Sequence, residues 1–256
     1  MQKFSIKNRH NQNILGYYKQ AHTPKALAFI QHGFSGYKEQ SHLQAMQETL
    51  LNNHISVVNF DATNSFGESE GFLEHFTLTQ HCSDLEDVIK WASFQDWYKE
   101  PFILVGHSMG AASCLNYACT HPKKVKALAP TSAVVSGKAL KQTFQTHAPE
   151  LIQEIEKKGY ALKQSSSRPN KVGKITKGFF DDTMKYDFIQ DASKIKAPCL
   201  LIVGTKDDVT LPKHQKTLGA KLGESVHQMK GAGHTFKSEP ELASLKQIMN
   251  DWLNGL

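Results

Sequence analysis

Six short apolar runs, separated by longer stretches of helical periodicity, constrain the fold of this 256-residue chain more than any other feature. They are Ala26–Gln31, Ile55–Phe60, Phe102–Val105, Val125–Ala129, Cys199–Val203 and Ser225–Met229. A nearly continuous apolar run suits a strand covered on both faces, and parallel strands need a crossover between them. The intervening stretches supply it. Leu43, Met46, Leu50 and Leu51 keep helical spacing, as do Leu85, Val88, Ile89 and Ala92. Leu242, Leu245, Ile248, Met249, Trp252 and Leu253 draw an apolar stripe on a C-terminal helix. The alternation predicts an α/β chain with a mostly parallel central sheet flanked by helices. Weaker runs at Phe4–Lys7 and Ile14–Tyr18 predict an N-terminal hairpin on the sheet edge.

One stretch breaks the pattern. Residues 137–197 show no strand run, only charged helical patterns at Leu140–Phe144, Leu151–Lys157 and Phe179–Met184. The serine-rich segment Gln164–Gly173 reads as a mobile loop. An insertion of about 60 residues between two core strands is too long for an ordinary connection, so it is expected to be a helical lid. The expected division is a core of residues 1–136 and 198–256, with a lid at 137–197.

The net charge of +6 is concentrated in that insertion, where twelve Lys or Arg face seven Asp or Glu. The bases are interleaved with acids and lack stacking aromatics. They read as a solvated face, so no nucleic-acid partner is expected. No run reaches the roughly 20 apolar residues of a membrane span, and Met1 to Asn13 is too polar for a secretory leader. Cys82, Cys114, Cys119 and Cys199 form no CxxC pair and lie near apolar positions, as buried free thiols do. The cytoplasm is the expected compartment, with no metal and no cofactor.

The pattern G-x-S-x-G occurs twice, at Gly106–Gly110 and at Gly67–Gly71. A serine hydroxyl is a weak nucleophile and must be held exposed beside a base. A sharp turn from strand to helix does this, and flanking glycines allow the close backbone approach. Ser108 directly follows the Phe102–Val105 run, and Met109-Gly110-Ala111-Ala112-Ser113-Cys114-Leu115 suits a helix packed closely on the sheet. Ser69 lacks an adjoining strand and helix, and reads as a structural loop residue.

Two partners follow Ser108 in chain order. Asp207, in Gly204-Thr205-Lys206-Asp207-Asp208-Val209, lies just past a strand end, with Asp208 the alternative acid. His234, in Gly231-Ala232-Gly233-His234-Thr235, follows the last strand. Open α/β sheets bind ligands at this carboxyl end of their strands. His234 is expected to take the Ser108 proton and the carboxylate to hold the imidazole. Two N–H groups, of Met109 and of Phe34 in His32-Gly33-Phe34-Ser35-Gly36, are the expected oxyanion donors. His107 reads as a packing residue. Phe34, Met109, Phe144, Phe179 and Phe180 are candidates for the pocket wall or the lid core.

With HGFSG after the third strand, GHSMG at the turn, and GTKDDV and GAGH near the end, the chain resembles the α/β-hydrolase superfamily over nearly its full length. It is similar to bacterial feruloyl (cinnamoyl) esterase-like, serine-aminopeptidase-like and monoacylglycerol-lipase-like members. One departure is that many relatives carry Asp-x-Arg-Gly where this chain reads Asp61-Ala62-Thr63-Asn64, without the arginine. The resemblance implies a cofactor-free mechanism through an acyl-enzyme. A carboxylic-ester hydrolase acting on a small or medium acyl substrate is expected. The alternatives are a thioesterase, lipase or peptidase using the same residues, or a non-catalytic binding protein on the same fold.

Overall fold

The computed structural model describes residues 1–165 and 168–256. β1 (Gln2–Lys7) and β2 (Asn13–Lys19) form the expected antiparallel hairpin at the edge. There follow β3 (Ala26–Gln31), α1 (Ser41–Asn52), β4 (Ile55–Asp61), α2 (Leu78–Ala92), β5 (Phe102–His107), α3 (Met109–Thr120) and β6 (Val125–Thr131). Next come α4 (Gly137–His147), α5 (Pro149–Lys158), β7 (Tyr160–Gln164), β8 (Val172–Thr176) and α6 (Lys177–Thr183). The chain closes with β9 (Leu201–Gly204), α7 (Pro212–Leu222), β10 (Val226–Met229) and α8 (Glu239–Asn254).

Eight strands make one sheet in the order β1-β2-β4-β3-β5-β6-β9-β10. From β4 to β10 every pairing is parallel, and only β1 and β2 run against their neighbours. The continuous apolar runs are explained by burial on both faces. On β3, Leu27 and Phe29 enter one core while Ala26, Ala28 and Ile30 enter the other, as the two-residue repeat of a strand requires. Leu43, Met46 and Leu50 of α1 and Leu245, Met249 and Leu253 of α8 cover one face. Leu85, Val88 and Ile89 of α2 and Ala111, Ala112 and Leu115 of α3 cover the other. Side chains also fix the helix starts. Thr77 accepts from Gln80 N–H before α2, and Ser238 and Glu241 form a reciprocal cap on α8.

The insertion between β6 and β9 departs from the expectation of helices alone. β7 and β8 pair as an antiparallel hairpin within it, with Ala161 opposite Ile175 and Lys163 opposite Gly173. The segment expected to be a mobile loop is therefore partly strand: Gln164 ends β7 and Val172 begins β8. Its residues 166 and 167 lie outside the described residues. The insertion is tied down at α6, where Asp182 accepts from the backbone N and the Oγ1 of Thr79, both at 2.8 Å. No helix among the described residues is long and apolar enough to cross a membrane.

Candidate active site

The turn from β5 into α3 holds Ser108 at φ 57° and ψ −116°, a backbone conformation unusual for a side-chain-bearing residue. Close packing on both sides enforces it. A Cβ on Gly106 would sit 2.5 Å from the Ala111 nitrogen, and one on Gly110 would collide with the Gln31 carbonyl oxygen. Only glycine fits at either flank, so α3 is drawn against β3 and β5 and the serine is thrust to the strand ends.

The His234 loop meets it there. His234 Nε2 lies 3.0 Å from Ser108 Oγ. His234 Nδ1 lies 3.1 and 3.0 Å from the two oxygens of Asp207. The carboxylate can only accept, so Nδ1 carries the proton and Nε2 is left to accept from the serine hydroxyl. Asp207 Oδ1 also accepts from the Val209 and Thr210 N–H groups at 3.0 and 2.8 Å. The Thr210 hydroxyl lies 2.8 Å from Asp207 Oδ2 and 3.0 Å from the Ser132 carbonyl. Burial alone would raise the Asp207 carboxyl, but the His234 contact and these donors hold it down at about 2. Asp207, rather than the exposed Asp208, therefore faces the imidazole.

Histidines shape the surrounding loops. His107 Nε2 donates to the His234 carbonyl oxygen at 2.8 Å, and its ring lies 4.9 Å from that of His234 and 4.4 Å from that of His42. Burial, reinforced by the neighbouring His234, lowers His107 to about 3, so it stays neutral. His32 Nδ1 donates to the Gly33 carbonyl at 2.7 Å, while its Nε2 accepts from Ala62 N–H at 2.9 Å. His81 Nε2 in turn donates to the His32 carbonyl at 2.8 Å. This chain of bonds fixes the loop carrying Phe34. The N–H groups of Phe34 and Met109 donate to no group among the described residues, as needed of donors kept for an incoming oxygen.

A cavity of about 370 Å³ opens over Ser108. Phe34, Met109, Phe144 and Phe179 line it together with Leu140, Leu151 and Ile175. Phe180 does not. It is buried behind the wall, edge-on to both Phe144 and Phe179. Ser69 is also placed in a structural role, donating to the Asp61 carbonyl at 2.5 Å and accepting from Leu15 N–H at 2.8 Å. Where the sequence lacks the arginine of its relatives, the buried Lys38 ammonium lies 2.7 Å from Asp61 Oδ2. The four thiols are unpaired, and burial pushes Cys82 and Cys199 up to about 12. Among the described residues no cluster of three or more His, Cys, Asp or Glu is disposed to hold a metal ion.

Residues 22–241 match the family described as serine aminopeptidase, S33, within the hydrolases. The chain belongs to this family. Human mitochondrial palmitoyl-protein thioesterase ABHD10 is 27% identical over 256 residues, covering 98% of this chain and 80% of the relative. Est1E from Butyrivibrio proteoclasticus with ferulic acid bound superposes with a TM-score of 0.81 at 19% identity, covering 98% of each chain. Mouse alpha/beta hydrolase domain-containing protein 10 gives a TM-score of 0.78 at 20% identity, over 100% of this chain and 99% of that one. The fold is that of the α/β-hydrolases.

The sequence reading missed Thr210, the role of His107 and the His32–His81 pair. Thr210 had a local signal, since Asp followed three residues later by Thr is a side-chain-to-backbone turn. The histidines had little, because the partners that tie them across the fold, Ala62 for His32, His32 for His81 and His234 for His107, lie far away in sequence.

Proposed function

We propose that this chain is a serine hydrolase of carboxylic esters, with Ser108, His234 and Asp207 as its catalytic triad. The observation that carries the reading is the 3.0 Å approach of His234 Nε2 to Ser108 Oγ, with Asp207 bonded to the opposite ring nitrogen. Ser108 Oγ attacks the acyl carbonyl as its proton passes to His234 Nε2. The oxyanion that forms accepts from the N–H groups of Phe34 and Met109. His234 then protonates the departing oxygen, and the acyl group remains on Ser108. A water molecule, deprotonated by His234, releases the acid and restores the serine. Asp207 keeps the imidazole in the required tautomer and stabilises its cation.

The mostly apolar cavity above Ser108 suits a small or medium acyl group. Residues 137–197 act as its lid: Leu140, Phe144, Leu151, Ile175 and Phe179 all come from that insertion. A thioester is the second reading, favoured by the thioesterase relatives, because the same triad cleaves either bond. The unpaired thiols fit a reducing compartment, which we take to be the cytoplasm.

A fluorophosphonate probe should label Ser108, and p-nitrophenyl esters of increasing chain length, with matched thioesters, should be turned over. Ser108→Ala should abolish labelling, and Ser69→Ala should not. A wild-type protein that neither labels nor hydrolyses any ester or thioester would overturn the reading.

A further inference from the structure

The β7–β8 hairpin presents two faces. Leu162 points to solvent and is 63% exposed. Ala161 and Lys163 alternate to the other face, and Lys163 lines the cavity over Ser108. Its cross-strand neighbour is Gly173, so no side chain opposes it from β8. Among the described residues the Lys163 ammonium has no ion pair and no hydrogen bond. Among the described residues the cavity wall carries one further lysine or arginine, exposed Lys237, and no Asp or Glu. The charge of exposed Asp208 favours the Lys163 ammonium without forming an ion pair with it.

A half-buried ammonium in a wall of Phe, Leu and Ile is costly to desolvate unless something answers it. Burial does lower Lys163, with Asp208 acting the other way. Elsewhere in the insertion Lys158, Lys174, Lys185 and Lys194 each meet a carboxylate. Of the two lysines on the cavity wall, Lys163 is the half-buried one, and among the described residues no carboxylate pairs with it.

We propose that Lys163 is a specificity-determining residue that binds an anionic group, a carboxylate or phosphate, carried by the substrate away from its scissile carbonyl. This rests on the hydrolase reading above and narrows it to charged acyl esters or thioesters. A charged hydrogen bond inside a cavity of low polarity is worth about tenfold or more in binding.

The test pairs isosteric substrates that differ only in charge. Mono-p-nitrophenyl adipate against its primary amide, p-nitrophenyl 5-carbamoylpentanoate, places the charge on the acyl group. 4-Acetoxybenzoate against 4-acetoxybenzamide places it on the leaving group. In one of these arms wild type should prefer the anion, and Lys163→Met should cut kcat/KM for the anion about tenfold while holding the neutral ester within about twofold. Lys163→Glu should reverse the preference, and Lys163→Arg should retain it. The responding arm identifies which side of the scissile bond carries the charge. If Lys163→Met changes neither anion-to-neutral ratio, or lowers both members of each pair equally, the proposal is overturned. Calorimetric binding of adipamate, a monoanion, and of neutral adipamide to Ser108→Ala, with and without Lys163→Met, reads the same contact without turnover. Tighter adipamate binding that depends on Lys163 supports the proposal, and equal binding overturns it. Loss of turnover in wild type alone counts against the hydrolase reading instead.

Discussion

His107 Nε2 donates a 2.8 Å hydrogen bond to the carbonyl oxygen of His234, so the strand that leads into Ser108 also grips the backbone of His234. His107 is the residue immediately before Ser108, and His234 lies 126 positions beyond the serine. The 3.0 Å contact between Ser108 and His234 thus rests on two tethers, Asp207 at the ring and His107 at the main chain.

Removing the second tether should slow turnover without removing any reacting group. Losing a buried hydrogen bond costs about 1–3 kcal/mol, which corresponds to roughly ten- to a hundredfold in kcat if it falls on the geometry of the base. His107→Ala should show that fall in kcat, with KM changed by less than about threefold. Because His107 is already neutral, the acid limb of the pH profile should not move. A shifted limb would show that His107 titrates with the site rather than positioning it.

The Asp207 carboxyl, held from its ordinary 3.8 down to about 2, gives a prediction with a definite sign. A depressed carboxylate adds stability above its unfolded value near pH 4, and that stability is lost as pH falls through about 2. Asp207→Asn should therefore destabilise the protein to urea by about 2 kcal/mol at neutral pH, with the gap to wild type closing below about pH 2. Activity should fall by about 10³–10⁴-fold. Asp208→Asn, at an exposed position, should keep neutral-ester activity within about twofold. Equal losses in the two variants would contradict the assignment.

The order of Ser108, Asp207 and His234 along the chain was legible because each follows a strand run; those before Ser108 and Asp207 are buried on both faces, whereas the one before His234 is fully buried only at Met229. Ile103 and Val105 enter one core, and Phe102 and Leu104 the other. Such strands advertise themselves. β7 did not, since Tyr160–Gln164 has one buried residue, an exposed Leu162 and a lysine turned inward. Its pattern of burial opposes the hydrophobic pattern, so it reads as loop or helix. The same inversion concealed Lys163. Phe180 shows the remaining gap: hydrophobicity reported that it is buried, but not whether it faces the cavity or the back of Phe144.

Arg168 fastens the hairpin connection to the core beside the cavity. Its guanidinium lies 3.6 Å from the Tyr37 ring centroid, and Nη1 donates to the Phe66 carbonyl at 3.0 Å. Glu39 lies 3.7 Å away. The planar stack and the hydrogen bond need arginine's shape, which lysine does not reproduce. Arg168→Lys and Arg168→Ala should both raise KM by a few-fold, on the order of 1 kcal/mol, with thermal stability nearly unchanged. If lysine restored wild-type KM, charge alone would account for the contact.

Gly33 tests the proposed oxyanion loop, where the donors would be backbone N–H groups that cannot themselves be deleted. A Cβ at Gly33 would stand 2.9 Å from Ser108 Cβ and 3.0 Å from the His107 carbonyl oxygen. Both neighbours belong to the tight turn already constrained by Gly106 and Gly110, so neither can retreat far. Gly33→Ala must instead displace the loop and carry the Phe34 N–H away from the carbonyl it would polarise. Misplacing one such donor costs about 3–4 kcal/mol at the transition state, or about 10²–10³-fold in kcat. The overpacking itself should cost about 1–3 kcal/mol of stability. Phosphonate labelling of Gly33→Ala should slow in parallel with kcat, because the adduct's phosphoryl oxygen needs the same donors. Undiminished labelling and turnover would show that the Phe34 N–H does not take part.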